Sequence, residues 1–454
     1  MSKKKNSLTE VRKQYEEFPY PSREPEDEKE RLLIPVLSRM DIVCHHGFNG
    51  KQDFNNFNVL IAGAGTGDSA IFWAEQLRER ENCRVVYLDM SKSSKAIAQE
   101  RANIRKLDNI QWVTGSLLDA KDLDIGEFDF IECSGVLHHL EDPDAGLTAL
   151  KQVLKPEGIL SIMVYAAYGR TAIYHMQELM RWVNHSETDP HKKVENTKKI
   201  INQLPPQHWL LVGQQHVMPF SDLAKDTGIY DLLLHSQDRA YKIHEAYEWL
   251  ERCDMQMTSP PGIGTSEYIT YLPETFIKDA ELLKQIKQLP KRLQESIAEN
   301  MFARNIKHNF YSTHSGRPPT VANPRNLELI PFAGLVGATP LDQLAKAIAG
   351  SPDSHINVTS DKYNGKTVTQ LYAHKHTADI ISLIDGKRTG EEIFNALCQL
   401  PKHENEEVYR EQFVDQYDEV IKALNQGNFV FLRHKSVPAF SHLSRFEKRV
   451  TKMY

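Results

Sequence analysis

Long apolar runs are missing from this 454-residue chain. No stretch approaches the roughly 20 consecutive apolar residues that a membrane helix needs, so a helical membrane protein is not expected. A strong charge of one sign is missing too. The formal net charge is -6, with 55 basic residues against 61 acidic ones. That balance argues against a protein held to nucleic acid by bulk charge, although a local basic patch stays open. Cysteine is sparse: Cys44, Cys83, Cys133, Cys253 and Cys398 are scattered, with no CxxC pair. The pattern points to reduced thiols and offers neither a disulfide framework nor a zinc set. Met-Ser-Lys-Lys-Lys-Asn-Ser has charge but no apolar segment behind it, and so does not read as a secretory signal. No internal repeat is visible. A cytoplasmic protein of two or three domains, and an enzyme, is the expectation.

What is present is organised around Asn58–Asp68, Asn-Val-Leu-Ile-Ala-Gly-Ala-Gly-Thr-Gly-Asp. Val59, Leu60 and Ile61 read as a buried strand, Gly63, Gly65 and Gly67 as a tight turn, and Ser69 onward as a helix. Such a unit brings backbone close to a ligand in a parallel α/β sheet. Strand and helix then alternate. Strands are expected at 59–62, 84–89, 110–114, 128–132 and 158–165, with helices at 69–80, 92–106 and 143–154. Residues 255–258 and 305–312 add late strands and an antiparallel edge. The expected fold class is therefore α/β, a doubly wound, seven-stranded, mostly parallel sheet.

Around this core, residues 1–57 read as an arm and cap helix, with helical spacing over Arg31–Cys44. Residues 58–315 form the main domain, and 169–253, rich in His, Gln and Trp, a helical insertion over its active edge. Glu274–Ala303 reads as strongly helical. Residues 316–339 carry the prolines and glycines of a connection. Residues 340–454 suggest a small winged-helix-like α+β unit: a helix at 340–349, a loop at 350–365, a strand at 367–371, three helices N-capped at Thr377 and Thr389, and a strand at 428–433. Its charges are mixed, and Glu391, Glu392, Glu404, Glu406 and Glu407 crowd the helices that would face phosphates. A protein-interaction or regulatory role is expected there, not nucleic-acid binding.

Asp89 ends the second strand, where a carboxylate can accept hydrogen bonds from two ribose hydroxyls. It can equally cap the helix that follows. Glycine turn and acid together suit either NAD or S-adenosylmethionine, and hence an oxidoreductase, a methyltransferase or a cofactor-binding sensor without turnover. Further on stand Gly115-Ser116-Leu117-Leu118-Asp119, then Phe128-Asp129-Phe130-Ile131-Glu132-Cys133-Ser134-Gly135-Val136-Leu137-His138-His139-Leu140, then Leu154-Lys155-Pro156-Glu157-Gly158. In these motifs the chain resembles class I, Rossmann-like S-adenosylmethionine-dependent methyltransferases over about residues 55–170. The resemblance implies S-adenosyl-L-methionine as cofactor and methyl transfer by in-line displacement to an unidentified small-molecule or protein acceptor. It implies cofactor contacts from Gly63, Gly65, Gly67, Asp89, Met90, Ser116, Leu117 and Ser134. One departure stands out: the acid usual two positions before the first glycine is Ile61 here. Asp68, the backbone or the arm is expected to hold the methionine ammonium instead.

The arm's Tyr15–Pro21 resembles aromatic segments that close over the cofactor in some of these enzymes, with Tyr15 and Tyr20 as candidates. His138 or His139 could act as general base, since imidazole titrates near neutrality. Tyr165 ends the fifth strand at the same edge and joins them as a catalytic candidate. Tyr168 and Arg170 are candidates for the acceptor, the arginine's planar fork suiting a carboxylate or phosphate. His216 and His235 are too isolated to assign. His45-His46 and His374–His376 lack a helical i, i+4 partner, so no metal site is expected.

Overall fold

Val59, Leu60 and Ile61 form the middle of a strand that is covered on both faces, which is what a run of successive apolar residues requires. The computed structural model describes residues 12–216, 222–334, 341–360, 367–403 and 408–440. After α1 (Met40–Gly47) the chain alternates β1 (Asn58–Ala62), α2 (Asp68–Leu77), β2 (Arg84–Asp89), α3 (Lys92–Arg105), β3 (Ile110–Thr114), β4 (Phe128–Ser134), α4 (Pro143–Lys151) and β5 (Leu154–Tyr165). Four helices follow: α5 (Thr171–Val183), α6 (Pro190–Ile201), α7 (Trp209–His216) and α8 (Asp226–Leu233). Then come α9 (Ile243–Arg252), β6 (Met255–Met257), α10 (Pro273–Phe276), α11 (Ala280–Lys287), α12 (Lys291–Phe302) and β7 (Lys307–His314).

The seven strands lie in the order β3-β2-β1-β4-β5-β7-β6. The first five are parallel, and β7 runs antiparallel to both β5 and β6. Winding therefore reverses between β1 and β4, and a crevice opens at their carboxyl ends. Side chains alternate across the sheet. Val59, Ile61 and Phe130 pack with Phe72 and Trp73 of α2, whereas Leu60 and Ile131 pack with Leu147 of α4 and Trp249 of α9.

Beyond the sheet, β8 (Leu329–Ala333) pairs with β11 (Val430–His434), and β9 (His355–Ser360) with β10 (Thr367–Tyr372). Helices α13 (Leu341–Ala349), α14 (Thr377–Ser382), α15 (Gly390–Cys398) and α16 (Arg410–Gln426) share one core with these ladders around Ile380, Ile393, Tyr417 and Ile421. The unit is tied to the sheet domain through α1. His45 Nδ1 accepts the Leu432 N–H at 3.0 Å, and burial pushes this imidazole down to about 4. No described helix is long and apolar enough to cross a membrane.

Several boundaries differ from expectation for local reasons. The helix expected over 31–44 is a 3-10 turn at Val36–Ser38 followed by α1, because Pro35 cannot donate to a helix around it. The helix from Pro143 stops at Lys151, and Leu154 already pairs with Phe128. The long helix expected at 274–303 is three, and Pro290 stands at the N-cap of the last. The expected connection 316–339 contains β8, and the expected loop 350–365 contains β9, up to the undescribed residues 361–366. Thr389 caps α15 in a capping box with Glu392, as its sequence suggests. At α14 the cap position belongs to His376, and the Thr377 hydroxyl instead reaches the Tyr372 carbonyl at 3.3 Å.

Candidate active site

A cavity of about 440 Å³ lies at the crevice between β1 and β4. One end is the glycine turn. Gly65, at φ +52, donates its N–H to Asp89 Oδ2 at 2.7 Å, while Asp89 Oδ1 accepts the Ser91 N–H at 2.8 Å. Asp89 thus braces the turn against the start of α3, and the residue also lines the cavity. Burial pushes its carboxyl above the ordinary range, against these backbone donors.

The N-terminal arm roofs this end. Tyr15's carbonyl accepts from Ser91 Oγ at 3.0 Å, and Glu16 accepts the N–H groups of Lys92 and Ser93 at the start of α3. The Tyr20 carbonyl lies where a Cβ on residue 65 would sit 2.6 Å away, so this position must be glycine for the arm to close. Thr66 Oγ1 donates to the Pro21 carbonyl, and Arg23 forks onto Asp68 at 2.9 and 2.6 Å. Arg101, almost fully buried, joins Asp68, the Thr66 carbonyl and Glu28. Burial alone would raise the Asp68 carboxyl, but the two guanidiniums together hold it below its usual value. With its charge matched twice, Asp68 has little left for a further cation.

The other end is built of side chains from distant segments. Asp231 of α8 accepts the Tyr15 hydroxyl at 3.1 Å and faces the Tyr165 hydroxyl at 3.4 Å. Burial pushes the Asp231 carboxyl and both phenols up. The His139 ring stacks on His235 with centroids 3.8 Å apart. The backbone of one residue, Gln237, fixes both tautomers. His139 Nδ1 lies 2.9 Å from the Gln237 carbonyl, which can only accept, so the proton is on Nδ1 and Nε2 carries the lone pair. His235 Nδ1 accepts the Gln237 N–H at 3.1 Å, so its proton is on Nε2, facing the Tyr15 oxygen at 3.4 Å. His139, Asp231 and His235 are close enough together to hold a metal. With the His235 Nε2 lone pair taken by a proton, the trio is a hydrogen-bonding set.

Of the residues singled out in the sequence, Gly63, Gly65, Asp89 and Met90 line the cavity, as do Ser116, Leu117 and Ser134. The arm contributes Tyr15 and Tyr20, and the far end His139, Tyr165 and Arg170. Three do not reach the wall. Gly67, at φ +99, faces α3, where a Cβ would meet Ala98 at 2.7 Å. Tyr168 turns towards Lys242. His138 is fully buried against the Tyr165 ring, with neither ring nitrogen hydrogen-bonded among the described residues, and desolvation drives its imidazole well below the usual range. It packs the site without exchanging protons there. Arg170 does not stand free as an anion clamp: its guanidinium lies 3.4 Å over the Tyr165 ring and 3.6 Å from Asp238.

Residues missed in the sequence include Asp231, Gln237, Glu132 and Arg23. Asp231 and Gln237 carry no local signal, because the fold of the insertion brings them in. His235, which stood isolated in the sequence, is joined to the site by the same fold; the His216 side chain lies outside the described set.

The strand order, the glycine turn and the acid after β2 define a class I, Rossmann-like nucleotide-binding sheet. Residues 60–160 match a family model described as a methyltransferase domain. It is 32% identical over 228 residues to an uncharacterised protein of Synechococcus sp., covering 50% of this chain and 52% of that one. It is 33% identical over 112 residues to the tRNA 5-carboxymethoxyuridine methyltransferase of Escherichia coli, covering 24% and 41%. The chain thus spans about half, or less, of the length of these curated relatives. Among solved structures, PKMT2 from Rickettsia typhi in complex with AdoHcy superposes with a TM-score of 0.59 at 16% identity, over 88% of this chain and 75% of that one. At that identity the likeness is one of fold.

Proposed function

We propose that the protein transfers the methyl group of S-adenosylmethionine to a small molecule or a protein side chain bound at the Tyr165–Asp231 end of the cavity. The observation that carries this reading is the continuity of the cavity: one space runs from Gly65 and Asp89 to His139 and Asp231. The lining fits the cofactor. Asp89 keeps oxygen lone pairs for ribose hydroxyls, Ser116 and Leu117 flank the adenine side, and Glu132 adds a buried carboxylate beside the glycine turn.

When bound, the cofactor's sulfonium makes its methyl carbon electrophilic, so the chain need not activate it covalently. What the chain supplies is position, proton management and exclusion of water. The arm roofs the glycine-turn end and delivers Tyr15 to the far end, so the same segment helps hold cofactor and acceptor. His139 Nε2 is the base: its lone pair is fixed by the Nδ1 hydrogen bond and takes the proton that the attacking atom gives up. Asp231, between Tyr15 and Tyr165, compensates the imidazolium that results.

The C-terminal unit, anchored to α1 through His45, serves in this reading as a protein-interaction or regulatory element. Incubating the protein with methyl-labelled S-adenosylmethionine and a cell extract tests the proposal. Label in one extract component is expected. Cofactor binding without labelling of any component would instead favour a non-catalytic sensor or scaffold.

A further inference from the structure

The carboxylates around the cavity are not equally matched. Asp68 has two arginines, Asp89 has two backbone N–H donors, and Asp231 faces two phenols. Glu132 differs. It is 3% exposed, and its oxygens accept the hydroxyls of Ser38 and Ser69, with the Trp73 indole beside them, all neutral donors. No cationic side chain forms an ion pair with it among the described residues. A buried carboxylate without a counter-charge is costly, and burial pushes this carboxyl above its ordinary range.

Its position suggests what completes it. Glu132 lines the cavity together with Ser69, Gly63 and Val36. It is the register partner of Ile61 on the neighbouring parallel strand, so the two side chains share one face of the sheet. The acid absent from the end of β1 thus has a counterpart one strand away, on β4. The two serines come from different elements, the 3-10 turn before α1 and the first turn of α2. Each occupies one carboxylate oxygen and leaves it a further lone pair.

We propose that Glu132 receives the ammonium of the cofactor's amino-acid end, with Ser38 and Ser69 holding the carboxylate in place. The inference rests on the proposed methyl-donor reading and names the residue that replaces the acid missing at Ile61. An ammonium supplies the counter-charge that the fold omits and makes a charge-assisted hydrogen bond in a water-poor site.

Calorimetric titration of Glu132→Gln tests it, with S-adenosylhomocysteine compared against methylthioadenosine, which has the nucleoside but no amino acid. The substitution is expected to weaken the first by about tenfold or more and to leave the second within about twofold. Unchanged affinity for S-adenosylhomocysteine, or an equal loss for both ligands, overturns the proposal. Should the buried glutamine prevent folding, the unsubstituted protein answers with desamino-S-adenosylhomocysteine, in which hydrogen replaces the ammonium. Binding about tenfold weaker than the parent supports ammonium recognition, and equal binding overturns it. If the unsubstituted protein binds none of these nucleosides, the methyl-donor reading itself falls, and the role of Glu132 with it.

Discussion

The two ends of the cavity are made in different ways. The glycine-turn end comes mostly from one stretch, residues 63–134, where the ends of β1, β2 and β4 meet and backbone N–H groups do much of the holding. The Tyr165–Asp231 end is assembled from the arm, the loop after β4, the end of β5 and α8, so hydrogen-bonded partners lie more than 200 positions apart. The first end is fixed by the fold itself. The second depends on the insertion and the arm docking correctly, which is where such enzymes can vary their acceptor while the sheet stays the same.

This division gives separable outcomes. His139→Asn is expected to lower methyl transfer by about 10²–10⁴-fold, the usual contribution of a general base, while leaving S-adenosylhomocysteine affinity unchanged by calorimetry. An equal fall in affinity would erase the distinction between the ends. Asp89→Ala is the converse. Loss of charge-assisted hydrogen bonds should weaken S-adenosylhomocysteine by about 1.5–3 kcal/mol, and unchanged affinity would remove the ribose role. Arg23→Ala loosens the arm but leaves Asp68 its pair with Arg101, so a loss of roughly 1 kcal/mol is expected, read as faster ligand release in stopped flow.

The smallest expected effect is one of pH. Asp89 and Glu132 are both raised by burial, so they take up protons above the ordinary carboxylate range. In the roles proposed above the ionised forms bind ligand, so affinity is expected to fall as pH drops through those raised values. His138 and His235 are pushed down by burial and stay neutral over the same window. Calorimetric S-adenosylhomocysteine affinity should therefore fall on acidification from neutral pH, beginning above the ordinary carboxylate range. A rise on acidification would mean that the titrating groups are others.

The same contrast explains what was legible in the sequence. β2 and β3 are found at the expected residues, and the glycine turn and Asp89 stand where their motif suggests, because local chemistry at short spacing determines them. Sequence spacing could not show that Gly67 faces α3 or that His138 packs behind Tyr165, since a neighbouring element decides which of two adjacent residues turns inward. Asp231 and His235 were invisible for a stronger reason. Their partners Tyr15 and His139 are set by how the insertion folds back, and no periodicity encodes that. Proline also shaped the misplacements: Pro35 and Pro290 divide stretches whose apolar spacing alone reads as continuous helix.

The most direct test of the cavity's identity is calorimetric titration of the unsubstituted full chain with S-adenosylhomocysteine and, separately, with NAD. Micromolar binding of S-adenosylhomocysteine and no binding of NAD is the expected result. Binding of NAD alone would contradict the methyl-donor site.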